Sequence, residues 1–473
     1  MKDLTRDSIV RNIMTMAAPV AIGMLFQTLY LLVDLYFVAS LGDAAMAGVA
    51  AAGTLMFVVL SLTQVLGVGA VALISQAVGR KDRDDANAVF NQSLVLASFC
   101  AAGTLVFGYA FTSQYVGAIA ADAATQAAGT TFLSCFLPGF ALQFGLVTMG
   151  SALRGTGIVK PTMIVQALTV VLNTALAPVL IVGWGTGHAL GVAGAGLASS
   201  ISVGAGVAML AAYFVRLERY VSFEPALWRP HFPTWKRMLE VGLPAGGEFA
   251  LMFIYMGVVY WVISDFGSAA QAGFGIGSRI MQSIFMPAMA IAFAAGPIAG
   301  QNFGAGHGHR VRETFLKAVM LNVVVMGAVT ALLQWRPELL VAVFTPEAEA
   351  RQVGADFLRI ISWTFLAQGV VFTCSGIFQG LGNTRPSLMS SAVRLTFFVP
   401  VAVWLSSRPD FALEQVWYVS VATIVLQACV SVLLLLGQFR KRLAPARAVS
   451  PEPSAPLAAP LAPSASVAAE EAG

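Results

Sequence analysis

The sequence is poor in charge. Only 11% of its 473 residues are Asp, Glu, Lys or Arg, whereas 58% are hydrophobic and the mean hydropathy is +0.79. A water-soluble domain carries about a quarter charged residues, so this chain cannot cover a globule with water-facing side chains. Apolar runs of about 20 residues recur along its length, and each is long enough to cross a bilayer as a helix. The composition excludes an ordinary soluble protein and predicts an all-α integral membrane protein in contact with the lipid bilayer.

Cysteine is scarce as well. The four cysteines fall inside apolar runs without metal-like spacing: Cys100, Cys135, Cys374 and Cys429. This pattern is typical of small core residues in a protein without disulfides. His307 and His309 form an H-x-H pair in a polar loop, where hydration is favoured over metal binding. The formal net charge of +4 is no argument for a nucleic-acid partner. We therefore expect no metal, no cofactor and no nucleic acid.

The apolar runs predict twelve transmembrane helices. Their segments are 13–38, 46–75, 89–113, 127–153, 161–183, 190–214, 241–264, 271–303, 315–335, 355–379, 387–406 and 415–438. The first run is too long for a cleaved signal peptide, so we expect the first helix to be retained. After Arg442 the sequence is rich in Pro and Ala and has no apolar period. This composition predicts a disordered tail.

The positive charges predict the orientation of these helices. Of the 27 Lys and Arg residues, 21 lie in or beside the N-terminus, the loops after spans 2, 4, 6, 8 and 10, and the C-terminal tail. The loops on the opposite side hold three: Arg336, Arg351 and Arg408. Cytoplasmic loops of membrane proteins carry the excess of Lys and Arg. Both termini are therefore expected in the cytoplasm, which agrees with an even number of spans.

One short segment occurs twice in the chain. Residues 153–163 read LRGTGIVKPTM and residues 378–388 read FQGLGNTRPSL, so that a constant offset of 225 aligns their glycines and prolines. The same offset pairs further residues: Pro19 with Pro244, Gly42 with Gly267, Gly48 with Gly273, Gln76 with Gln301, Gly79 with Gly304, and Gln143 with Gln368. This is an internal duplication of six spans. The halves enter the membrane in the same direction, an arrangement typical of transporters that bind substrate between two lobes.

The duplication predicts the division of the chain. We expect an N-terminal lobe over 1–215, a cytoplasmic linker over 216–240, a C-terminal lobe over 241–440 and a disordered tail over 441–473. The repeated loop itself lacks the spacing of a phosphate-binding loop and has no strand before it. Its glycines are suited to ending one helix and its proline to starting the next. The repeated loop therefore indicates a helix break at the membrane face.

These motifs resemble the multidrug and toxic compound extrusion (MATE) transporters. The resemblance covers residues 10–440 and includes the doubled G-x-G-x-x-K/R-P loop, Pro19 with Asp34 in the first span, and the Gln-x-x-Gly ends of spans 2 and 8. It implies a V-shaped fold of two pseudo-symmetric six-helix lobes. A membrane enzyme would need clustered His, Asp or Glu at one membrane level, and the sequence shows no such cluster, so we expect no enzymatic activity. The resemblance also implies export of organic, often cationic, compounds by alternating access in exchange for protons or sodium. We expect a monomeric multi-pass protein of the bacterial inner membrane.

Asp34 is the first candidate site residue, because a carboxylate inside a span is costly and usually functional. Tyr30 lies one helical turn earlier, on the same face, and could hydrogen-bond to it. The alternative is an aspartate that reaches the outer interface or caps the turn at Leu41. The resemblance implies that Asp34 is the coupling carboxylate, with Asn173 and Ser199 as polar neighbours. We also expect span 1 to bend around Pro19, where the i−4 hydrogen bond is missing.

The sequence departs from the family at Ala177, where many relatives carry an acid. Sodium needs several oxygen ligands together, whereas a proton needs a single buried carboxylate. Protons are therefore favoured as the coupling ion. A sodium-coupled exporter of the same family remains an alternative, and so does a lipid-linked saccharide flippase of the same superfamily.

The second lobe carries Glu248 in span 7. Members of the family with a complete sodium site there have an aspartate where this chain has Gln368. Glu248 could bind a cationic substrate or could pair with Arg279 or Arg394, which also lie within spans. These four residues are the predicted substrate or polar site of the second lobe.

Overall fold

The computed structural model describes residues 1–120, 122–342 and 348–443. Fourteen α-helices occupy most of these residues: α1 (Ile9–Ala39), α2 (Asp43–Arg80), α3 (Arg83–Ile119), α4 (Ala123–Gly155), α5 (Lys160–Ala177), α6 (Val192–Arg216), α7 (Phe232–Val262), α8 (Gly267–Gly304), α9 (Gly308–Trp335), α10 (Pro337–Ala342), α11 (Ala348–Ile361), α12 (Thr364–Gly380), α13 (Arg385–Ser406) and α14 (Leu413–Arg442). The predicted tail beyond Leu443 lies outside the described residues.

Eleven of these helices, with short helical extensions at some ends, are long and apolar enough to cross a membrane. The remaining span, the tenth in chain order, is made of two helices, α11 and α12, which are bent by 59° at a short break after Ile361. The side chains at this break find local partners, since Thr364 donates to the Ile361 carbonyl and Thr330 of α9 donates to the Ser362 carbonyl. The prediction of twelve spans in an all-α protein is confirmed, with one span broken.

The repeated loops end one helix and start the next, as predicted. Gly157 has φ +81° and Gly382 has φ +70°, both in the left-handed region that glycine adopts without strain. Pro161 and Pro386 then occupy the first turn of α5 and α13, where a missing N–H removes no helical hydrogen bond.

The helices run antiparallel between two ends of the molecule. We call the end at which α1 begins and α14 ends the basal end, and the opposite end the distal end. Near the distal end each half has its own aromatic core. In the second half, the Trp417 ring lies 5.3 Å from Phe274 and 4.8 Å from Phe357. A third core belongs to both halves, because buried α1 residues such as Ile13 pack with residues of α8, α9, α12 and α14.

The segment between the halves is held against α3. Asn91 accepts hydrogen bonds from the Glu224 amide (2.9 Å) and the Trp228 indole (3.0 Å), and it donates to the Ser222 carbonyl (2.9 Å). α7 already begins at Phe232, so the last part of the predicted linker 216–240 is helical. The exact lobe boundaries stay a prediction.

The two halves meet at the basal end through a reciprocal contact that we call the basal junction. Gln76 of α2 donates to the Gly380 carbonyl (2.9 Å), and its counterpart Gln301 of α8 donates to the Gly155 carbonyl (3.1 Å). Each half therefore binds the repeated loop of the other. Leu4 is fully buried beside this junction, and its amide donates to the Gln301 side chain (3.0 Å).

The helix crossing at the basal junction leaves no room for side chains at two glycines. A Cβ atom on Gly79 would lie 2.0 Å from the Gln301 carbonyl oxygen, and one on Gly304 would lie 2.1 Å from the Gln76 carbonyl oxygen. These glycines are related by the same offset as the two glutamines. The structure thus closes the space between the lobes at its basal end.

Candidate functional site

The structure brings Asp34, Asn173 and Ser199 together from three helices of the first half. The Ser199 hydroxyl donates to Asp34 Oδ2 (2.8 Å), and the Asn173 amide donates to the Ser199 oxygen (3.4 Å). Asn173 and Ser199 are fully buried, whereas Asp34 is half-buried. Asp34 lies five residues before the distal end of α1, which is about 8 Å at a rise of ~1.5 Å per residue.

The helix that carries Asn173 changes its winding just beyond the site. α5 ends at Ala177 and continues as a single π-helical turn, Pro178–Val182. Such turns occur often at functional sites, because they change the direction of the neighbouring side chains. Pro178 supplies a local cause, since its ring cannot fit the regular helical hydrogen-bond ladder. Buried Ala177 contributes no side-chain oxygen to the cluster.

Three buried oxygen atoms at this site lack hydrogen-bond partners among the described residues. They are Asp34 Oδ1, Asn173 Oδ1 and the Tyr30 hydroxyl. The predicted hydrogen bond between Tyr30 and Asp34 is therefore not formed in this structure. An unsatisfied buried polar atom costs about 1–3 kcal/mol, and three in one cluster indicate a site that a proton or a small cation would complete. This cluster is the N-lobe site.

A second half-buried carboxylate lies in the other half. Glu248 of α7 accepts hydrogen bonds from Ser387 of α13 (2.6 Å) and Ser375 of α12 (3.0 Å), both at Oε2. The two serine oxygens are 2.9 Å apart. Sequence reasoning missed both serines. One signal was available, because Ser387 directly follows the loop proline, as Thr162 does in the first copy.

The arginines named as possible partners of Glu248 do not reach it. Neither Arg279 nor Arg394 forms an ion pair with any described residue, so the predicted pairing with Glu248 is not formed. The Arg394 guanidinium carbon lies 4.2 Å from the centroid of the Tyr255 ring. Gln368 is half-buried on α12, seven residues before Ser375 and therefore about two helical turns away.

One face of α8 points at the first half of the chain. Arg279, Met286 and Phe293 follow each other at intervals of seven residues, which places them on one side of a helix. The Met286 sulfur lies 3.8 Å from the Thr28 hydroxyl of α1, and the Arg154 guanidinium carbon lies 5.5 Å from the centroid of the Phe293 ring. Arg279 is exposed on the same face, nearer the distal end, and thus borders the space between the halves.

Pro19 lies within α1, which is continuous from Ile9 to Ala39. Its ring removes the hydrogen bond that the Thr15 carbonyl would otherwise accept. The role of Pro19 as a hinge stays a prediction.

Comparison with known proteins agrees with the internal repeat. The profile of the MatE family matches the chain twice, over residues 19–179 and 244–404. Both the starts and the ends of these matches differ by 225 residues, the offset found between the paired glycines and prolines.

Several curated proteins are similar over most of their length. The probable multidrug resistance protein YpnP of Bacillus subtilis is 25% identical over 88% of this chain and 90% of its own length. The multidrug export protein MepA of Staphylococcus aureus is 25% identical over 84% of this chain and 87% of its own. These similarities extend through both halves.

Solved structures share the fold. A transporter of the MOP superfamily from Pyrococcus furiosus superimposes with a TM-score of 0.86 at 24% identity, covering 94% of this chain and 98% of that one. The outward-facing conformation of a multidrug resistance MATE family transporter gives the same score, identity and coverage. The two-lobed arrangement of the helices is therefore that of these transporters.

Proposed function

Because this chain belongs to the MATE family of multidrug efflux transporters, we propose that it is a secondary active antiporter. It exports organic cations or amphipathic compounds in exchange for protons, with Asp34 as the coupling carboxylate. The chain is a multi-pass membrane protein. In this proposal the membrane is the bacterial inner membrane, the basal end is cytoplasmic because it carries most of the Lys and Arg residues, and the protein works as a monomer.

The N-lobe site is the observation that supports this proposal. Asp34 has one donor on Oδ2, and its other oxygen shares the buried site with two further unsatisfied oxygens, those of Asn173 and Tyr30. A proton bound to Asp34 removes the buried negative charge and supplies a donor for a neighbouring oxygen. Loss of that proton leaves a carboxylate that needs additional donors, such as the Tyr30 hydroxyl. The hydrogen-bond pattern of the cluster thus depends on protonation.

Protonation is coupled to transport through the packing of α1. Its distal half carries Asp34, whereas its basal half is buried against the helices of the other lobe. A change in the bonds of Asp34 therefore acts on a helix that both lobes share, and Pro19 lies between these two parts. For the substrate to enter from the cytoplasm, the basal junction must open. For it to leave, the junction must close again, as it is in this structure.

Glu248 supplies a negative group to the second lobe. Both serine donors bind its Oε2 atom, and no described residue binds Oε1. The positive group of a substrate could therefore approach Oε1 without breaking a bond. We assign Glu248 to substrate binding, with Gln368 as a more distant polar neighbour on α12.

Purified protein in liposomes with an imposed pH gradient tests the proposal. Wild type should move a fluorescent organic cation, and Asp34→Asn should lower the rate by at least ~10-fold, because an amide cannot exchange a proton. Asp265→Asn is a matched control, since Asp265 is an exposed acid at the distal end of the second half. Equal transport by wild type and Asp34→Asn would refute the coupling role. Transport driven by a sodium gradient but not by a pH gradient would favour the sodium alternative.

A further inference from the structure

Asp34, Glu248, Arg279 and Arg394 lie within membrane-spanning helices, and none of them forms an ion pair with a described residue. The two carboxylates nevertheless have hydrogen-bond donors, which are serine hydroxyls in both cases. The two arginines have no acceptor for their guanidinium groups among the described residues. Arg279 is exposed beside the space between the lobes and can be hydrated. Arg394 is different, because its Nε atom is buried and without a partner.

The internal repeat relates the surroundings of Arg394 to the N-lobe site. The offset of 225 relates Tyr30 to Tyr255, so both lobes carry a tyrosine at this position. The same offset relates Asp34 to Val259 and Asn173 to Phe398. The second lobe thus has apolar residues at the positions of the carboxylate and the amide.

At the position of Thr169 the second lobe carries Arg394. The region that is acidic in one lobe is therefore cationic in the other.

The Arg394 guanidinium lies against the face of an aromatic ring, and no described carboxylate pairs with it. The ring is that of Tyr255, whose hydroxyl is bonded to Ser420 (2.8 Å) and whose other neighbour is the Phe398 ring (4.7 Å between centroids). On α13, Arg394 lies nine residues from the start of the helix and twelve from its end, about 13 Å and 18 Å at ~1.5 Å per residue. A guanidinium at that depth is costly without an acceptor and usually marks a ligand site.

From this geometry we infer that Arg394 and the Tyr255 ring form an anion-binding site in the second lobe. Arg394 supplies the fork of guanidinium donors that fits a carboxylate, or a single donor pair for a halide. Glu248 lies two turns from Tyr255 along α7 and is already bonded to its serines, so it leaves the arginine free. The anion has two possible sources, a free halide or the carboxyl group of a transported compound.

Thermal denaturation of the full chain in detergent tests binding of a free anion. At constant ionic strength, bromide in place of methanesulfonate, which has no carboxyl group, should raise the Tm of wild type by about 2 °C or more. Arg394→Gln should lose this rise, and Arg394→Lys should retain part of it, because it keeps the charge without the fork. Arg408→Gln is the matched control and should behave as wild type, because the Arg408 guanidinium also lies over an aromatic ring, that of Trp404, but at an exposed position. The same bromide effect in Arg394→Gln, or its loss in Arg408→Gln as well, overturns a halide site at Arg394.

Transport of a matched pair of dyes tests the substrate carboxylate, and this test rests on the proposed export function. A rhodamine with a free carboxyl group and its methyl ester differ in the negative charge and in one methyl group. Arg394→Gln should slow export of the acid about 10-fold, as expected for one charge-assisted contact, and should leave the ester unchanged. Failure of wild type to export either dye would contradict the export function. If Arg394→Gln exports each dye as fast as wild type does and keeps the full stabilisation by bromide, the anion site is refuted and the export function still stands.

Discussion

Alanine at both Gly79 and Gly304 should open the basal junction. An ordinary carbon contact is 3.4 Å or longer, whereas the two new Cβ atoms would lie 2.0 Å and 2.1 Å from backbone oxygens of the opposite lobe. Backbone atoms cannot rotate away as a side chain would, so the helices must separate by more than 1 Å. That separation breaks the two hydrogen bonds donated by Gln76 and Gln301. At about 0.5–1.5 kcal/mol each, their loss amounts to roughly 1–3 kcal/mol, or a 5- to 150-fold shift toward the open junction.

Spin labels can measure this shift by pulsed electron paramagnetic resonance. Asp84 and His309 are exposed at the basal end of different lobes, and each can carry a label in a cysteine-free background. The double variant should show a second, longer distance with a population that wild type lacks. Gly103→Ala with Gly327→Ala is the matched control, because both glycines lie inside helices with nothing within 4 Å of the added carbon. An unchanged distance distribution in the Gly79 and Gly304 variant would refute the reasoning.

Two further predictions concern buried hydrogen bonds. Asn91→Ala removes the hydrogen bonds that hold the inter-lobe segment against α3 and should lower the free energy of unfolding by about 2–4 kcal/mol. Trypsin should then cut that segment faster than in wild type. Ser98→Ala is the control and should leave cleavage unchanged, because it loses a hydrogen bond only within its own helix. Ser387→Ala removes the shorter of the two hydrogen bonds to Glu248 and should lower the free energy of unfolding by about 1.5–3 kcal/mol. Thermal denaturation of the double variant with Glu248→Gln should show a coupling free energy of at least ~0.5 kcal/mol between the two substitutions. Strictly additive effects of the two substitutions on stability would contradict a direct bond.

The fold could be predicted from the sequence because its signals are local or periodic. The twelve apolar runs and the proline after each G-x-G loop depend on residues that are close in the chain, and the duplication shows itself as a constant offset between paired residues. The bend after Ile361 was not predicted, because no proline or glycine marks it. The start of α7 at Phe232 was also missed, since its first turns are polar enough to resemble a loop.

The candidate site was only partly predictable. Asn173 and Ser199 were identified through the family resemblance, and the structure places both beside Asp34. The prediction of a hydrogen bond between Tyr30 and Asp34 was wrong, because two residues one helical turn apart share a face but their polar atoms need not meet. The serine partners of Glu248 come from α12 and α13, and a contact between distant helices leaves no spacing in the sequence.

The basal junction also carries information about the origin of the chain. Gln76 binds the loop of the second half and Gln301 binds the loop of the first, so that each bond is the image of the other under the internal symmetry. A separate six-helix protein with one such glutamine and one such loop would make both bonds on pairing with an identical copy. The bonds that close this end therefore do not require the two halves to be parts of one chain. The halves have since diverged in sequence, because Asp34 corresponds to Val259 and Arg394 corresponds to Thr169.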